Sequence, residues 1–141
     1  MAELEFYVEF YGHWRESKKE LIPPHFGVFC VYDCSYHPDS DRVKIDRLIY
    51  IGEAENVREG ISNHEKWDEW KQNIGDGKEL CFSFGAVDKS FRERVHAAFV
   101  FQNNPPLNDK YRNSFPFDKT TITARGGVEL LITDFSVERT S

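Results

Sequence analysis

Hydrophobic and polar residues alternate from the start of the chain. Leu4, Phe6, Val8 and Phe10 share one side of residues 3–11, the period of two that predicts a strand with one buried face. Pro23-Pro24 interrupt the chain, and residues 27–33 then form a short apolar run that reads as a strand. Pro38, Asp39, Ser40 and Asp41 give residues 34–42 the composition of a turn or loop. Residues 47–52 return as a strand, so 27–33 and 47–52 are expected to pair as an antiparallel hairpin.

After Gly52 the period changes. Residues 54–64 and 65–73 read as helical, with Val57, Ile61, Trp67 and Trp70 as packing positions. Gly75-Asp76-Gly77 is a turn. Residues 79–86 alternate Leu80, Phe82, Phe84 and Ala86 against Cys81, Ser83 and Gly85, a further strand. Asp88 or Ser90 is placed to cap a helix running to about Gln102, with Phe91, Val95, Ala98, Phe99 and Gln102 on one side. Pro105-Pro106 end it. Residues 120–124, the Arg125-Gly126-Gly127 turn and residues 128–137 read as a C-terminal hairpin. The order predicts an α+β layer fold: a small central antiparallel sheet flanked by helices, with an extra N-terminal strand and a C-terminal hairpin. No repeat, low-complexity tract or long linker divides residues 1–141, so one domain is expected.

Composition changes this picture little. Twelve Phe and three Trp make the expected core aromatic. Apolar runs fall far short of the roughly 20 residues that a bilayer requires, and the first residues carry no signal-peptide pattern, so a cytoplasmic protein without a membrane partner is expected. The net charge of −6 weakens the case for general DNA binding, which draws on cations that meet phosphates. Three cysteines, Cys30, Cys34 and Cys81, suggest no disulfide framework, and the odd count fits a reducing compartment. A zinc site at Cys30, Cys34 and His37 lacks a second ligand pair, and Cys30 sits in an apolar run.

Three segments carry a resemblance. Gly27-Val28-Phe29 and Tyr50-Ile51-Gly52 stand as two triplets on successive strands, the second followed by Glu53-Ala54-Glu55-Asn56-Val57. Pro105-Pro106-Leu107-Asn108 closes the later helix, followed by Ser114-Phe115-Pro116-Phe117. In this order and spacing they resemble the GIY-YIG nuclease superfamily, of the excision-repair and homing-endonuclease type, over about residues 25–118.

The resemblance implies metal-assisted phosphodiester hydrolysis. The triplet tyrosines position or activate the attacking water, an Arg on the first helix stabilises the phosphate, and a Glu on the later helix holds a divalent cation. Tyr50 supplies the second tyrosine and Asn108 the closing Asn. The other positions depart from the pattern: Phe29 lacks the hydroxyl, Gly60 stands where the Arg belongs, and His96 stands where the Glu belongs. Tyr32 faces the wrong side of its strand to replace Phe29. Arg58 points about 200° around a helix from Gly60. His64 shares the face of Gly60, or is an ordinary residue near a helix end. Glu93 lies one turn before His96 and is a second candidate metal ligand, or an ordinary exposed Glu. Neutral His96 is a poor ligand for magnesium, which prefers oxygen.

Two functions follow as expectations. The first is a pseudo-enzyme, a nuclease-like scaffold that binds DNA or a protein partner without cleaving. The second is an active DNA endonuclease or phosphodiesterase using magnesium or manganese, with Tyr50, His64, His96, Glu93 and Asn108 as catalytic groups, His96 and Glu93 as metal ligands, and Phe29, Arg58 and Gly60 lining the substrate. A plain structural domain is a third reading.

Overall fold

The computed structural model describes residues 2–140. The strands are β1 (Leu4–Arg15), β2 (Gly27–His37), β3 (Arg42–Ala54), β4 (Glu79–Ala86), β5 (Thr120–Gly126) and β6 (Asp134–Val137). The helices are α1 (Val57–Ser62), α2 (Trp67–Gln72) and α3 (Arg92–Asn103), and a 3-10 turn at Glu16–Leu21 follows β1. The fold is α+β.

All six strands join one sheet in the order β3-β2-β4-β1-β5-β6. The hairpin forms as expected: Phe29 lies opposite Gly52 and Val31 opposite Tyr50. The strand at residues 79–86 pairs antiparallel with β2 on its other side. The sheet is nevertheless larger than the small antiparallel one anticipated, and mixed. Residues 4–10 of β1 pair in parallel with β5, and residues 10–15 pair antiparallel with β4. The N-terminal strand and C-terminal hairpin therefore extend the central sheet instead of flanking it.

Several boundaries moved: β1 runs on to Arg15, β3 starts already at Arg42, and the helices expected over 54–64 and 65–73 shorten to Val57–Ser62 and Trp67–Gln72. Residues 34–37 continue β2 and only residues 38–41 turn, because the alternation of Cys34, Tyr36 and their partners on β3 sustains the ladder past the expected end. Of the expected final strand, only Asp134–Val137 pairs with β5. The last helix starts at Arg92, with neither Asp88 nor Ser90 as its N-cap; Asp88 Oδ1 instead accepts from the Ser90 N–H at 2.8 Å, closing a turn before it.

Cys34 and Cys81 form a disulfide with Cα atoms 6.3 Å apart, which corrects the expectation of three free thiols. The extension of β2 carries Cys34 into the sheet, where it faces Glu79 while Cys81 faces Tyr32, a diagonal pair across β2 and β4. Residue counting does not see such a register. The bond also removes Cys34 from the Cys30–Cys34–His37 set. Cys30 is free and buried, its thiol pushed up to about 11 by burial. Among the described residues no helix is long and apolar enough to cross a membrane.

The sheet has a core on each face. On one side α3 supplies Val95, Ala98 and Phe99 against Val28, Cys30, Tyr32 and Ile51. On the other, Val57 and Ile61 of α1 and Trp70 of α2 pack with Phe29, Val31, Phe82 and Phe84. Tyr32 and Phe29 thus serve opposite cores, as strand alternation requires. Arg94, buried on α3, ties this layer to the chain ends: its guanidinium donates to Thr120 Oγ1 and to the carbonyls of Ala2, Asp118 and Lys119 at 2.7–3.1 Å.

Candidate functional site

β3 is an edge strand, so its outward N–H and C=O groups need partners from outside the sheet. The segment after α3 provides them. Prolines 105 and 106 fix its direction, and Leu107 donates its backbone N–H to the Ile49 carbonyl at 3.0 Å. Asn108, 4% exposed, then presents its amide as a neighbouring strand would. Its Oδ1 accepts from Ile51 N–H at 2.9 Å and its Nδ2 donates to the Ile51 carbonyl at 2.8 Å. His96 reaches the same carbonyl through Nε2 at 2.9 Å. A carbonyl only accepts, so Nε2 carries the proton. Burial holds this imidazole below its ordinary pKa, which keeps it neutral, while the Ile51 bond opposes that shift.

Tyr50, one residue before Ile51, turns its ring to the other face. It packs in a cage of Phe29, His64 and Trp70, with His64 and Trp70 ring centroids 4.6 Å apart and Tyr50 and His64 centroids 5.2 Å apart. Phe29 is fully buried and covers Gly52, where a side chain would collide with its ring. The aromatic of the first triplet therefore fills the core. Tyr50 Oη lies 3.4 Å from His64 Nε2. The backbone N–H of Lys66 donates to His64 Nδ1 at 3.0 Å, which leaves the proton of the neutral ring on Nε2. His64 is therefore the donor and the Tyr50 oxygen the acceptor. Burial lowers the His64 pKa and raises that of Tyr50, keeping both neutral, and the Lys66 charge opposes the rise at Tyr50.

Gly60 has a packing role. A Cβ there would lie 2.6 Å from Ala54 Cβ, so the first helix approaches the end of β3 only because position 60 has no side chain. Asn56 caps that helix through Oδ1 to Glu59 N–H at 3.1 Å. Arg58 donates from Nε to the Ile22 carbonyl at 2.7 Å and secures the 3-10 turn. Glu93 is exposed on α3, near enough to His96 and Tyr111 to affect both.

The structure thus brings the expected residues together in two groups. Tyr50, His64 and Phe29 meet on the α1–α2 face, and His96 and Asn108 meet at Ile51, with the adjacency of Tyr50 and Ile51 joining the groups. Arg58 joins neither. At the expected metal position His96 Nε2 donates to the Ile51 carbonyl, and the carboxylates of Glu53 and Glu93 both lie near enough to affect its titration, with Glu53 held by Arg92. Among the described residues no three His, Cys, Asp or Glu side chains gather as metal ligands.

Sequence reasoning missed Lys66. Its ammonium pairs with Asp109 Oδ2 at 2.8 Å and with Glu69 Oε1 at 3.4 Å, while its own N–H orients His64. The only signal in the sequence was its place two residues after His64. In comparisons with protein-family models, curated proteins and solved structures, nothing matched this chain.

Proposed function

We propose that the chain is a binding domain on a GIY-YIG-like scaffold and does not cleave nucleic acid. The observation that carries this reading is that Gly60 and His96, which stand where the resemblance puts the phosphate clamp and the metal ligand, are both engaged in holding the fold. Gly60 accommodates Ala54 and His96 holds the Ile51 carbonyl. Losing either catalytic group costs several kcal/mol of transition-state stabilisation, and such groups act as a unit.

A second reading, an active phosphodiesterase, is favoured by the contact of Tyr50 with His64. In the tautomer set by Lys66, however, His64 already holds its proton on Nε2 and does not accept one from Tyr50. The test is incubation of purified protein with supercoiled plasmid in magnesium or manganese, with Tyr50→Phe as control. No nicking above background is expected. Metal-dependent nicking that Tyr50→Phe abolishes contradicts the reading.

A further inference from the structure

Arg94 is only 4% exposed, yet among the described residues it meets no carboxylate. Its Nε donates to Thr120 Oγ1 and its Nη2 to the carbonyls of Ala2, Asp118 and Lys119, while Nη1 has no partner among the described residues. The carboxylate of Asp118 acts on the guanidinium from a distance but is held by Arg139 at 2.9 Å. A buried cation is ordinarily matched by an anion in contact with it. Here the matching anion has to come from outside.

Arg94 lines a pocket of about 200 Å³ together with Leu4, Ser90, Phe91, Glu93 and Phe117. Four of these six residues belong to the turn that enters α3. No side chain caps that helix, and the N–H groups of Arg92, Glu93 and Arg94 have no partner among the described residues. An uncapped first turn carries partial positive charge and unused donors. Leu4, Phe91 and Phe117 supply apolar walls, and Phe91 stays 39% exposed although its ring lies 5.3 Å from that of Phe6. The pocket is smaller than the roughly 300 Å³ at which common ligand clefts begin, so its occupant is small. One guanidinium with Glu93 beside it balances a single negative charge better than a phosphate dianion, and the apolar walls call for a hydrocarbon body.

We propose that this pocket binds a small organic monocarboxylate. Its carboxylate accepts from Arg94 Nη1 and from the first N–H groups of α3, and its apolar body lies against Leu4, Phe91 and Phe117. Of the residues singled out by the resemblance only Glu93 touches the pocket, so this site stands apart from the binding reading above. The two fail separately, because plasmid nicking removes that reading and says nothing of an acid bound here.

The test is a proton–nitrogen NMR titration of the full-length protein with benzoate, benzamide, formate and inorganic phosphate. Benzoate is expected to give saturable shifts at the amides of residues 90–94 and at the Arg94 side chain. Benzamide keeps the shape and lacks the charge, and is expected to bind about tenfold more weakly through loss of a charge-assisted hydrogen bond. Formate lacks the apolar body and is expected to bind at least tenfold more weakly as well. Glu93→Gln removes the one carboxylate that lines the pocket and is expected to tighten benzoate about threefold. Asp76→Asn makes the same charge change in the turn between α2 and β4 and is expected to leave affinity unchanged. Arg94→Lys is expected to weaken benzoate about tenfold, with melting curves as the folding control; should it not fold, Glu93→Gln and benzamide decide. The proposal is overturned if benzoate leaves residues 90–94 unshifted, if benzamide binds as well as benzoate, or if Glu93→Gln matches Asp76→Asn. Phosphate or formate binding there more tightly than benzoate overturns the choice of an apolar acid.

Discussion

Asn108 satisfies both backbone polar groups of Ile51, accepting from its N–H at 2.9 Å and donating to its carbonyl at 2.8 Å. One side-chain amide thus does the work of an absent neighbouring strand along the edge of β3, and His96 adds a second donor to the same carbonyl. Replacing Asn108 with Leu removes both bonds and leaves a buried N–H without an acceptor. A loss of about 2–4 kcal/mol follows from two broken bonds and an orphaned group. Urea unfolding of Asn108→Leu against wild type checks this, and an unchanged midpoint contradicts the structural role.

Gly60→Ala separates packing from propensity. In an open helix the change stabilises by roughly 1 kcal/mol. Here the added Cβ meets Ala54 Cβ at 2.6 Å, and overpacking of this kind costs about 1–3 kcal/mol. Net destabilisation is expected, relieved when Ala54→Gly is added. Equal effects of Gly60→Ala in both backgrounds contradict the contact. For the same reason Gly60→Arg with His96→Glu does not by itself rebuild a nuclease site. The arginine needs Ala54→Gly to fit, and the glutamate replaces a donor at Ile51 with an acceptor.

The histidines set a pH dependence. His13, His64 and His96 all have folded-state pKa values lowered by burial. The unfolded chain therefore binds protons at a pH where the native protein does not, so stability rises with pH and falls as pH drops below about 6.5. His96→Gln keeps a donor near the Ile51 carbonyl and removes one titration. Its unfolding midpoint is expected to fall less between pH 7.5 and 5.5 than that of the wild type. An equal or steeper fall removes His96 from this dependence.

Arg94 is a further test of how the layers are joined. Replacing it with Met takes away the donor shared by Thr120 and three carbonyls and detaches α3 from β5 and residue 2. A loss of about 2–4 kcal/mol is expected from these bonds. Hydrogen exchange reads its location: protection should fall first at residues 4–10 and 120–126, and uniform loss over the whole sheet contradicts the assignment.

The periodic parts of the fold were legible before the structure. The apolar runs at 27–33 and 47–52 and the alternation at 79–86 mark three strands that form where expected, β2 being buried on both faces between two core layers. The sheet's extent was not legible, since the parallel pairing of β1 with β5 joins segments more than 100 residues apart and leaves no local mark. The disulfide was missed for the same reason. In the site, residue identity marked Gly60 and His96 as unusual, but the explanation for each lies in a non-local contact, with Ala54 and with the Ile51 carbonyl. Lys66 was invisible because its partner Asp109 is 43 positions away.

His96 Nε2 holds the Ile51 carbonyl at 2.9 Å, and under the proposed binding function it serves the fold and not a metal. Long-range proton–nitrogen NMR of the imidazoles reads this directly, with substoichiometric manganese added to the same sample. A neutral His96 protonated on Nε2 is expected, with its signals and those of Ile51 and Glu93 not selectively broadened by the metal. Selective loss of the His96 and Glu93 signals at low manganese, with Nε2 deprotonated, would contradict it.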